Sequence, residues 1–429
     1  MSKWSKKKIK DFAFTASGGT PSTERKEYWH NGTIPWINSG ELSKHDIIKK
    51  PTTYITQEAL DNSSAKLFPI GTVVIALTGA TTGMSAILEI ETSTNQSITG
   101  IFPSKEHDSK FLLYTLHHNI DKILLHNVGS AQPHINKEIV DNLEFNYPIV
   151  PEQYVISKIL STADAVIEKT QAAIAKYKAI KQGMLQDLFT RGIDLNTNKL
   201  RPRFEDAPEL YKESKLGMIP REWDEKIFGE EVDLIHGHQF RDYDFTEFGI
   251  PVVKIGQVKP DNVDLSSCSF VAYGREDEFQ NEIIRNGDVL MALTGATLGK
   301  ACLVKGLNGI VLQNYRVGRF EPIIKQNDID KEFLYYLLIA GDLLTQIFNK
   351  VNTGAQGNIG KADFEKATFK KPPFDEQQKI AERLKAIDNK LQTEQTYLQK
   401  MQSLKKGLME DLLSGRKQVK VSNEIKEMA

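Results

Sequence analysis

Two glycine-rich turns in this sequence carry donor groups that could bind a nucleic acid. Residues 78–83 are Thr-Gly-Ala-Thr-Thr-Gly, and residues 294–300 are Thr-Gly-Ala-Thr-Leu-Gly-Lys. Hydroxyls, backbone N–H groups and lysine ammonium groups all donate to phosphate oxygens. The glycines themselves favour a tight turn after a strand, where a positive φ suits glycine. The candidate contacts at these turns are Thr81, Thr82, Thr297 and Lys300.

Further polar side chains lie in segments that the chain repeats. Amide side chains match the edge of adenine, although they can equally satisfy the backbone of their own loop, and both interpretations stay open. Strand-edge polar residues usually face water and are weaker candidates. The glycine-flanked loops contain Gln132, His134, Gln356 and Asn358, the strand edges contain Gln96, Gln313, Asn314 and Arg316, and the segments after a repeated Ile-Pro pair contain Ser39, Glu41, Lys254 and Gln257.

Catalytic and cofactor-binding interpretations of the same residues fail on spacing. A phosphate-binding loop needs four residues between its glycines, whereas Gly295 and Gly299 enclose three, and Ala301 replaces the magnesium-binding Ser or Thr. The segment Lys371-Pro372-Pro373-Phe374 resembles the loop that holds a flipped adenine. The lysine side chain, however, cannot accept a hydrogen bond from the adenine amino group. The histidines show no ligand spacing. We therefore predict no catalytic residue, no cofactor and no metal site.

The elements that position these residues occur twice. Residues 131–189 align without a gap on residues 355–413, at a constant offset of 224. A second block repeats at an offset of 216, where the two Thr-Gly-Ala-Thr turns and the two Ile-Pro pairs coincide. Two copies of one unit predict an internal pseudo-twofold and a ligand with two related halves.

Each copy begins with a globular part and ends with a long helix. Short apolar runs at Val73–Leu77 and Val289–Leu293 follow a glycine and predict buried strands, while Phe111–Leu125 and Phe333–Phe348 have helical spacing. From Pro151 onward, apolar residues alternate at steps of four and three, which predicts a heptad seam.

The two seams predict an antiparallel helix pair, because the first helix leaves one globular part and the second returns from the other. The alternative, in which each helix packs on a different protein, stays open. A helix of this length spans roughly 60 Å, too long for the core of one domain. The predicted contact residues of the pair are Ile156, Leu160, Ile167, Ile174, Leu188, Ile380, Leu384, Leu391, Leu398 and Leu412.

Length and composition fit a protein of several domains. The chain has 429 residues and a net charge of −1. This charge argues weakly against nucleic-acid binding, although a sum over the whole chain does not show local basic patches. One lysine cluster, Lys3–Lys10, fits either such a patch or a solvated tail. Two cysteines suggest neither a disulfide framework nor a zinc site and fit a reducing cytoplasm. No apolar run approaches a membrane span.

The chain resembles the DNA-specificity subunit of type I restriction–modification systems. Its helices open at Glu152-Gln153 and Glu376-Gln377, each after a proline, and its second half opens at Gly217-Met218-Ile219-Pro220-Arg221-Glu222-Trp223. The resemblance covers essentially the whole chain. It implies two target-recognition domains, each reading half of a split DNA sequence, and a helical spacer that fixes the gap. It also implies two docked methyltransferase subunits, joined by restriction–translocase subunits.

The predicted fold is α+β, with two α/β target-recognition domains joined by two long antiparallel coiled-coil helices. We expect an asymmetric DNA target, since no segment similar to Thr23–Trp29 occurs at the corresponding place in the second half. The rival functions are a stand-alone DNA methyltransferase or endonuclease, and an interaction adaptor that does not bind DNA. The predicted boundaries are 1–150 and 221–373 for the recognition domains, 151–192 and 374–415 for the spacer helices, 193–220 for a linker and 416–429 for a tail.

Overall fold

The computed structural model describes residues 4–125, 134–324, 328–350, 358–423 and 425. The chain divides into two compact units, which we call unit 1 (residues 1–172 and 396–429) and unit 2 (residues 173–395). Each unit combines sheets with helices, as the predicted α+β class requires.

Among its described residues, unit 1 has three sheets, with strand orders β1-β11, β2-β10-β7-β8-β4 and β5-β3-β9-β6. The strands are β1 Ser5–Lys8, β2 Thr15–Ser17, β3 Ile34–Ile37, β4 Ile47–Ile48, β5 Thr53–Ile55, β6 Leu67–Phe68, β7 Val73–Ala76, β8 Ser85–Leu88, β9 Thr92–Thr94, β10 Ile98–Ile101 and β11 Glu144–Tyr147. The helices are α1 Ile9–Phe12, α2 Gln57–Asp61, α3 Ser109–His118, α4 Ile120–Leu124 and α5 Lys137–Asn142, and α6 Val150–Thr190 begins here.

The described part of unit 2 has five sheets, ordered β12-β13, β14-β15, β16-β25, β17-β24-β21-β22 and β18-β20-β19-β23. The strands are β12 Ile193–Asp194, β13 Lys199–Leu200, β14 Tyr211–Ser214, β15 Gly217–Pro220, β16 Asp224–Ile227, β17 Val232–His236, β18 Phe245–Thr246, β19 Ile250–Val253, β20 Ser269–Val271, β21 Val289–Ala292, β22 Ala301–Leu303, β23 Leu312–Gln313, β24 Val317–Pro322 and β25 Thr368–Lys371. The helices are α7 Phe228–Glu231, α8 Lys331–Ile339, α9 Asp342–Lys350 and α10 Lys361–Glu365, and α11 Phe374–Leu413 begins here.

The central strands β7 and β21 confirm the strand predictions, since every residue of both is buried. The two stretches with helical spacing each form two helices. The first is interrupted at Asn119, and the second at Gly341, whose φ of +98° is unfavourable for other residues. Each first helix is capped alike, because Asp108 and Asp330 accept hydrogen bonds from the N–H groups of Phe111 and Phe333.

A buried glutamine ties the start of each long helix to its own globular part. Gln153 donates to the carbonyl of Pro148 and accepts from the N–H of Asp108. Gln377 donates to the carbonyl of Pro372 and accepts from the N–H of Asp330. The repeated glutamine therefore joins the long helix to the cap of α3 or α8.

Within each unit, segments of α6 and α11 run antiparallel and share the core of the globular part. Ile156 and Leu160 share a core with Leu412 in unit 1, and Leu188 shares one with Ile380 and Leu384 in unit 2. Of the predicted contact residues, Ile167 and Leu398 are half-buried, and the other eight are buried: Ile156, Leu160, Ile174, Leu188, Ile380, Leu384, Leu391 and Leu412.

One polar cluster per unit connects both helices to the globular part. In unit 1, Asp164 of α6 accepts from the Tyr114 hydroxyl at 2.6 Å and pairs with Lys405 of α11 at 2.5 Å. In unit 2, Asp388 of α11 accepts from the Tyr336 hydroxyl at 2.9 Å and pairs with Lys181 of α6 at 2.6 Å. The helices exchange roles between the clusters, as expected from the sequence repeat.

The linker before the second globular part is folded. It forms the hairpins β12–β13 and β14–β15, and Arg201, just after β13, forms a buried ion pair with Glu376 near the start of α11. The Glu376 carboxylate is fully buried and also accepts from the indole N–H of Trp223 and the backbone N–H of Ile193.

The first and last strands of each globular part pair with each other. Strand β1 pairs antiparallel with β11, and β16 pairs antiparallel with β25. Two lysines of the N-terminal cluster in this pair are bound to acids, since Lys6 pairs with Glu144 and Lys7 with Glu106. This segment is therefore a strand and not a loose tail.

Burial of one histidine predicts a loss of stability in mild acid. His107 is buried against Phe12, its Nδ1 lies 2.9 Å from the Ser104 hydroxyl, and burial lowers its pKa to about 4. In the unfolded chain, the His107 imidazole binds a proton below a pH of about 6.5. In the folded chain, it binds that proton only near pH 4. We expect the free energy of unfolding to fall by about 3 kcal/mol between these values.

Denaturant unfolding at pH 7, 5.5 and 4.5 would measure this loss, with His107→Gln as the comparison. The variant should be less sensitive to pH across that interval, because glutamine does not titrate. An identical pH profile for both proteins would contradict a buried neutral imidazole.

None of the described helices has the apolar run that a membrane span requires.

Candidate nucleic-acid interface

The Thr-Gly-Ala-Thr turns follow the central strand of each unit. Short 3₁₀ helices at Gly79–Thr81 and Gly295–Thr297 begin three residues after the ends of β7 and β21. Gly79 and Gly295 have φ values of +74° and +73°, which confirms that these turns select glycine for its backbone freedom.

Three further segments gather at this end of β7 in unit 1. The 3₁₀ helix Ser39–Ser43 follows β3 and packs against the Gly79–Thr81 turn. The loop 95–97 is held because the Leu77 N–H donates to the Ser97 carbonyl at 2.8 Å. His134 bridges to Thr78, beside the hydrogen bond from the Ile135 N–H to the Leu77 carbonyl. We call these four segments loop cluster 1.

Unit 2 repeats the arrangement with different side chains. The 3₁₀ helix Ile255–Gln257 follows β19, and its Ile255 carbonyl accepts from the Thr297 hydroxyl at 3.2 Å. The Leu293 N–H donates to the Arg316 carbonyl at 2.9 Å, which holds the loop 314–316. Asn358 bridges to Thr294. These four segments form loop cluster 2.

The structure brings most of the predicted contact residues together in these two clusters. Five are exposed, namely Gln96, His134, Lys300, Arg316 and Asn358, and six are half-buried, namely Ser39, Glu41, Thr81, Lys254, Gln257 and Thr297. The predicted contacts Gln132 and Gln356 lie outside the described residues.

Three predicted contacts have buried side chains that serve the fold. The Thr82 hydroxyl donates to the Gly79 carbonyl at 2.7 Å inside the turn. Gln313 is fully buried, and its amide donates to the carbonyls of Ile235 and Val317. Asn314 is buried and accepts from the backbone N–H of Arg316.

Several of the half-buried candidates already have internal partners. The Lys254 ammonium donates to the Ser269 hydroxyl at 2.7 Å and lies 3.9 Å from the centre of the Phe245 ring. Gln257 accepts from the Lys254 N–H and donates to the Ser267 carbonyl. The Glu41 carboxylate, which accepts from the Thr52 hydroxyl at 3.4 Å, would repel phosphate and suits a base amino group.

An aromatic corner next to loop cluster 1 escaped the sequence analysis. The rings of Trp29 and Trp36 lie 5.1 Å apart at 88°, and both indole N–H groups donate to backbone carbonyls. The half-buried Trp29 ring presents an apolar face, which suits a thymine methyl group. Thr20 joins this corner to the cluster by donating to Gln96 at 2.5 Å. The corner forms a recess of about 530 Å³ lined by Thr20, Thr23, Lys26, Trp29, His30 and Trp36.

Loop cluster 2 instead gathers cationic and imidazole groups. The Arg316 guanidinium lies 5.2 Å from the ring centre of Tyr315, whose carbonyl is 3.2 Å from a ring nitrogen of His236. The backbone of His238 exchanges hydrogen bonds with Gln313 and Tyr315. The sequence analysis did not single out the His-Gly-His motif at residues 236–238, which marks this site. Both histidines are exposed.

Comparison with known proteins places the whole chain in one group. The family model described as Type I restriction modification DNA specificity domain matches residues 1–177 and 220–403. The chain is 29% identical over 323 residues to the type I restriction enzyme MjaVIII specificity subunit of Methanocaldococcus jannaschii, covering 75% of this chain and 73% of that protein. It is 26% identical over 431 residues to the MjaIX specificity subunit of the same organism, covering 99% and 91%.

Solved structures share the fold. The type I restriction–modification S subunit from M. genitalium aligns with a TM-score of 0.59 at 16% identity, over 96% of both chains. A structure determined for complex assembly and conformational transition of the type I R-M system aligns with a TM-score of 0.53 at 15% identity, over 96% of this chain and 98% of that one.

Proposed function

The chain belongs to the family of type I restriction–modification DNA specificity subunits, and from this premise we propose that loop clusters 1 and 2 each read one half of a split DNA target. Recognition of a DNA target is the function of this family. The finer assignment to the clusters is supported by their position, at equivalent ends of two repeated units, and by their exposed polar side chains.

One observation carries this proposal: the two clusters share their backbone arrangement but not their side chains. The N–H groups of Asn95 and Asn314 donate to equivalent carbonyls, those of Ile37 and Val253. Around this common frame, cluster 1 adjoins the Trp29 and Trp36 corner, while cluster 2 has Arg316 and adjoins the exposed His236 and His238. Different donors and apolar surfaces select different base edges, so the two half-sites should differ in sequence.

Methyl transfer and DNA cleavage would then belong to partner subunits. We propose that two methyltransferase subunits bind the chain, because two copies of one unit offer one partner two equivalent surfaces. Restriction–translocase subunits would join this assembly. In the described part of the chain, no group of three or more His, Cys, Asp or Glu residues is arranged to hold a metal ion.

Methylation mapping in the source cell tests the proposed function directly. We expect a motif of two defined halves, separated by a fixed number of unspecified bases and marked on adenines of both strands. The motif should disappear when this gene is deleted and return when it is restored. Persistence of every methylation motif after deletion would overturn the assignment.

The isolated chain should transfer no methyl group from S-adenosylmethionine to DNA that contains the mapped motif. This follows because Lys371 replaces the Asn or Asp that holds a flipped adenine. Radiolabelled methyl transfer should become measurable when purified methyltransferase subunits are added. Transfer by highly purified chain alone would show that it is an enzyme.

A further inference from the structure

A groove in unit 2 has no role in the function proposed so far. It lies between the long helices on one side and β22 and α8 on the other, with a volume of about 550 Å³. We call it the lysine groove, because its rim contains Lys178, Lys181, Lys300 and Lys305.

Three of these ammonium groups are available to a ligand. Lys178, Lys300 and Lys305 are exposed, and none forms an ion pair with a described residue. Lys181 differs, since it is paired with Asp388. Asp261 is the other acid on the rim, so the lining has a positive balance in a chain whose net charge is −1.

The groove is continuous with loop cluster 2. Gly299 and Lys300 line it, and the Lys300 N–H donates to the carbonyl of Thr297, a residue of the cluster, at 3.0 Å. A ligand held at loop cluster 2 can therefore extend along β22 into the groove. Among ligands of this chain, DNA has both the length and the regularly spaced negative charges that such a surface fits.

The equivalent positions of unit 1 lack these lysines. The Ala76 N–H donates to the Met84 carbonyl as the Ala292 N–H donates to the Lys300 carbonyl, so Met84 is the counterpart of Lys300. The same offset of 216 relates Glu89 to Lys305, and Glu89 is paired with Lys49. The helix repeat relates Lys178 to Gln402. The basic lining is thus specific to unit 2.

We propose that the lysine groove binds the DNA phosphate backbone beside the half-site read by loop cluster 2, and that the other half-site has no such contact. The inference rests on the proposed function. The two halves of the target would then be bound differently. The half read by loop cluster 2 would have base contacts and additional lysine contacts to phosphates, whereas the other half would lack these lysine contacts.

The test compares two triple variants in the complex with methyltransferase subunits. Lys178→Gln, Lys300→Gln and Lys305→Gln together remove the groove charges. The matched control is Lys199→Gln, Lys215→Gln and Lys366→Gln, which removes three exposed lysines of unit 2 that lie outside the groove and form no ion pair with a described residue. Binding of a target duplex is measured against salt concentration, and thermal unfolding verifies that both variants are folded.

We expect the groove variant to bind about tenfold or more weakly, with a log–log salt slope reduced by roughly 0.9 for each phosphate that the lysines no longer neutralise. Its preference among targets should not change, and the control should behave as wild type. An unchanged slope would overturn the proposal. Weaker assembly with the methyltransferase subunits in the absence of DNA would also overturn it, and would assign the groove to a protein partner.

Uncharged methylphosphonate linkages localise the contact. Placed beside the half-site of unit 2, they should weaken wild-type binding but weaken the groove variant less. Placed beside the other half-site, they should affect both proteins equally. Equal effects on both proteins at both places would contradict the proposal. Wild-type binding that is indifferent to sequence would instead overturn the proposed function.

Discussion

Replacing Arg201 by leucine should destabilise unit 2 by about 3–5 kcal/mol, the usual cost of leaving one partner of a buried ion pair unpaired. The Glu376 carboxylate is fully buried, and Arg201 donates to both of its oxygens, at 2.5 and 2.9 Å. The remaining donors, from Trp223 and Ile193, are neutral and cannot balance the charge. Urea denaturation followed by tryptophan fluorescence would measure the loss, since Trp223 is fully buried beside the carboxylate.

Two further variants separate the ion pair from general damage to the linker. Arg203→Leu changes an exposed arginine two residues away and should have little effect. Arg201→Leu combined with Glu376→Leu should recover much of the lost stability, because apolar replacement of both partners is often close to neutral. A loss no larger in Arg201→Leu than in Arg203→Leu would show that the pair is unimportant.

Exchanging the first globular part should replace one half-site completely and leave the other unchanged. We would replace residues 1–150 by the same region of a related subunit with a different target. The junction lies at the start of α6, so the exchanged piece brings both β1 and β11 and their pairing stays intact. Loss of the cognate half-site commonly lowers specific binding by 10³-fold or more.

Methylation mapping of cells that carry the hybrid would show the new target. The reciprocal exchange of residues 221–373 should change only the other half-site. If a single exchange altered both halves, the clusters would not read DNA independently.

The sequence predicted the parts of the fold that depend on local or repeated patterns. The central strands, the positive-φ glycines and the α+β class follow from short-range spacing and from the duplication. The breaks at Asn119 and Gly341 were missed, because apolar periodicity continues across them while the capping residues end the helix.

The site was harder to predict, since the partner of a polar side chain is set by tertiary contacts. Gln313 follows an apolar run and resembles an exposed strand end, but it donates to carbonyls of two other segments. Arg201 and Glu376 are 175 positions apart, so no local pattern marks them as a pair. The segment of Gly19 and Thr20 connects the tryptophans to the cluster through tertiary contacts, since the Gly19 carbonyl accepts from the Trp36 indole and the Thr20 hydroxyl donates to Gln96.

The pairing of β1 with β11 has a consequence for synthesis on the ribosome. Ser5 can pair with Tyr147 only after Tyr147 has been synthesised. At a translation rate of about 5–20 residues per second, this delay is on the order of ten seconds. During that time β1 is an unpaired strand, the kind of edge that recruits other chains. Its sequence is Ser-Lys-Lys-Lys, and three adjacent positive charges repel another copy of the same strand. The nascent chain thus carries its own protection against aggregation until Glu144 emerges to neutralise Lys6.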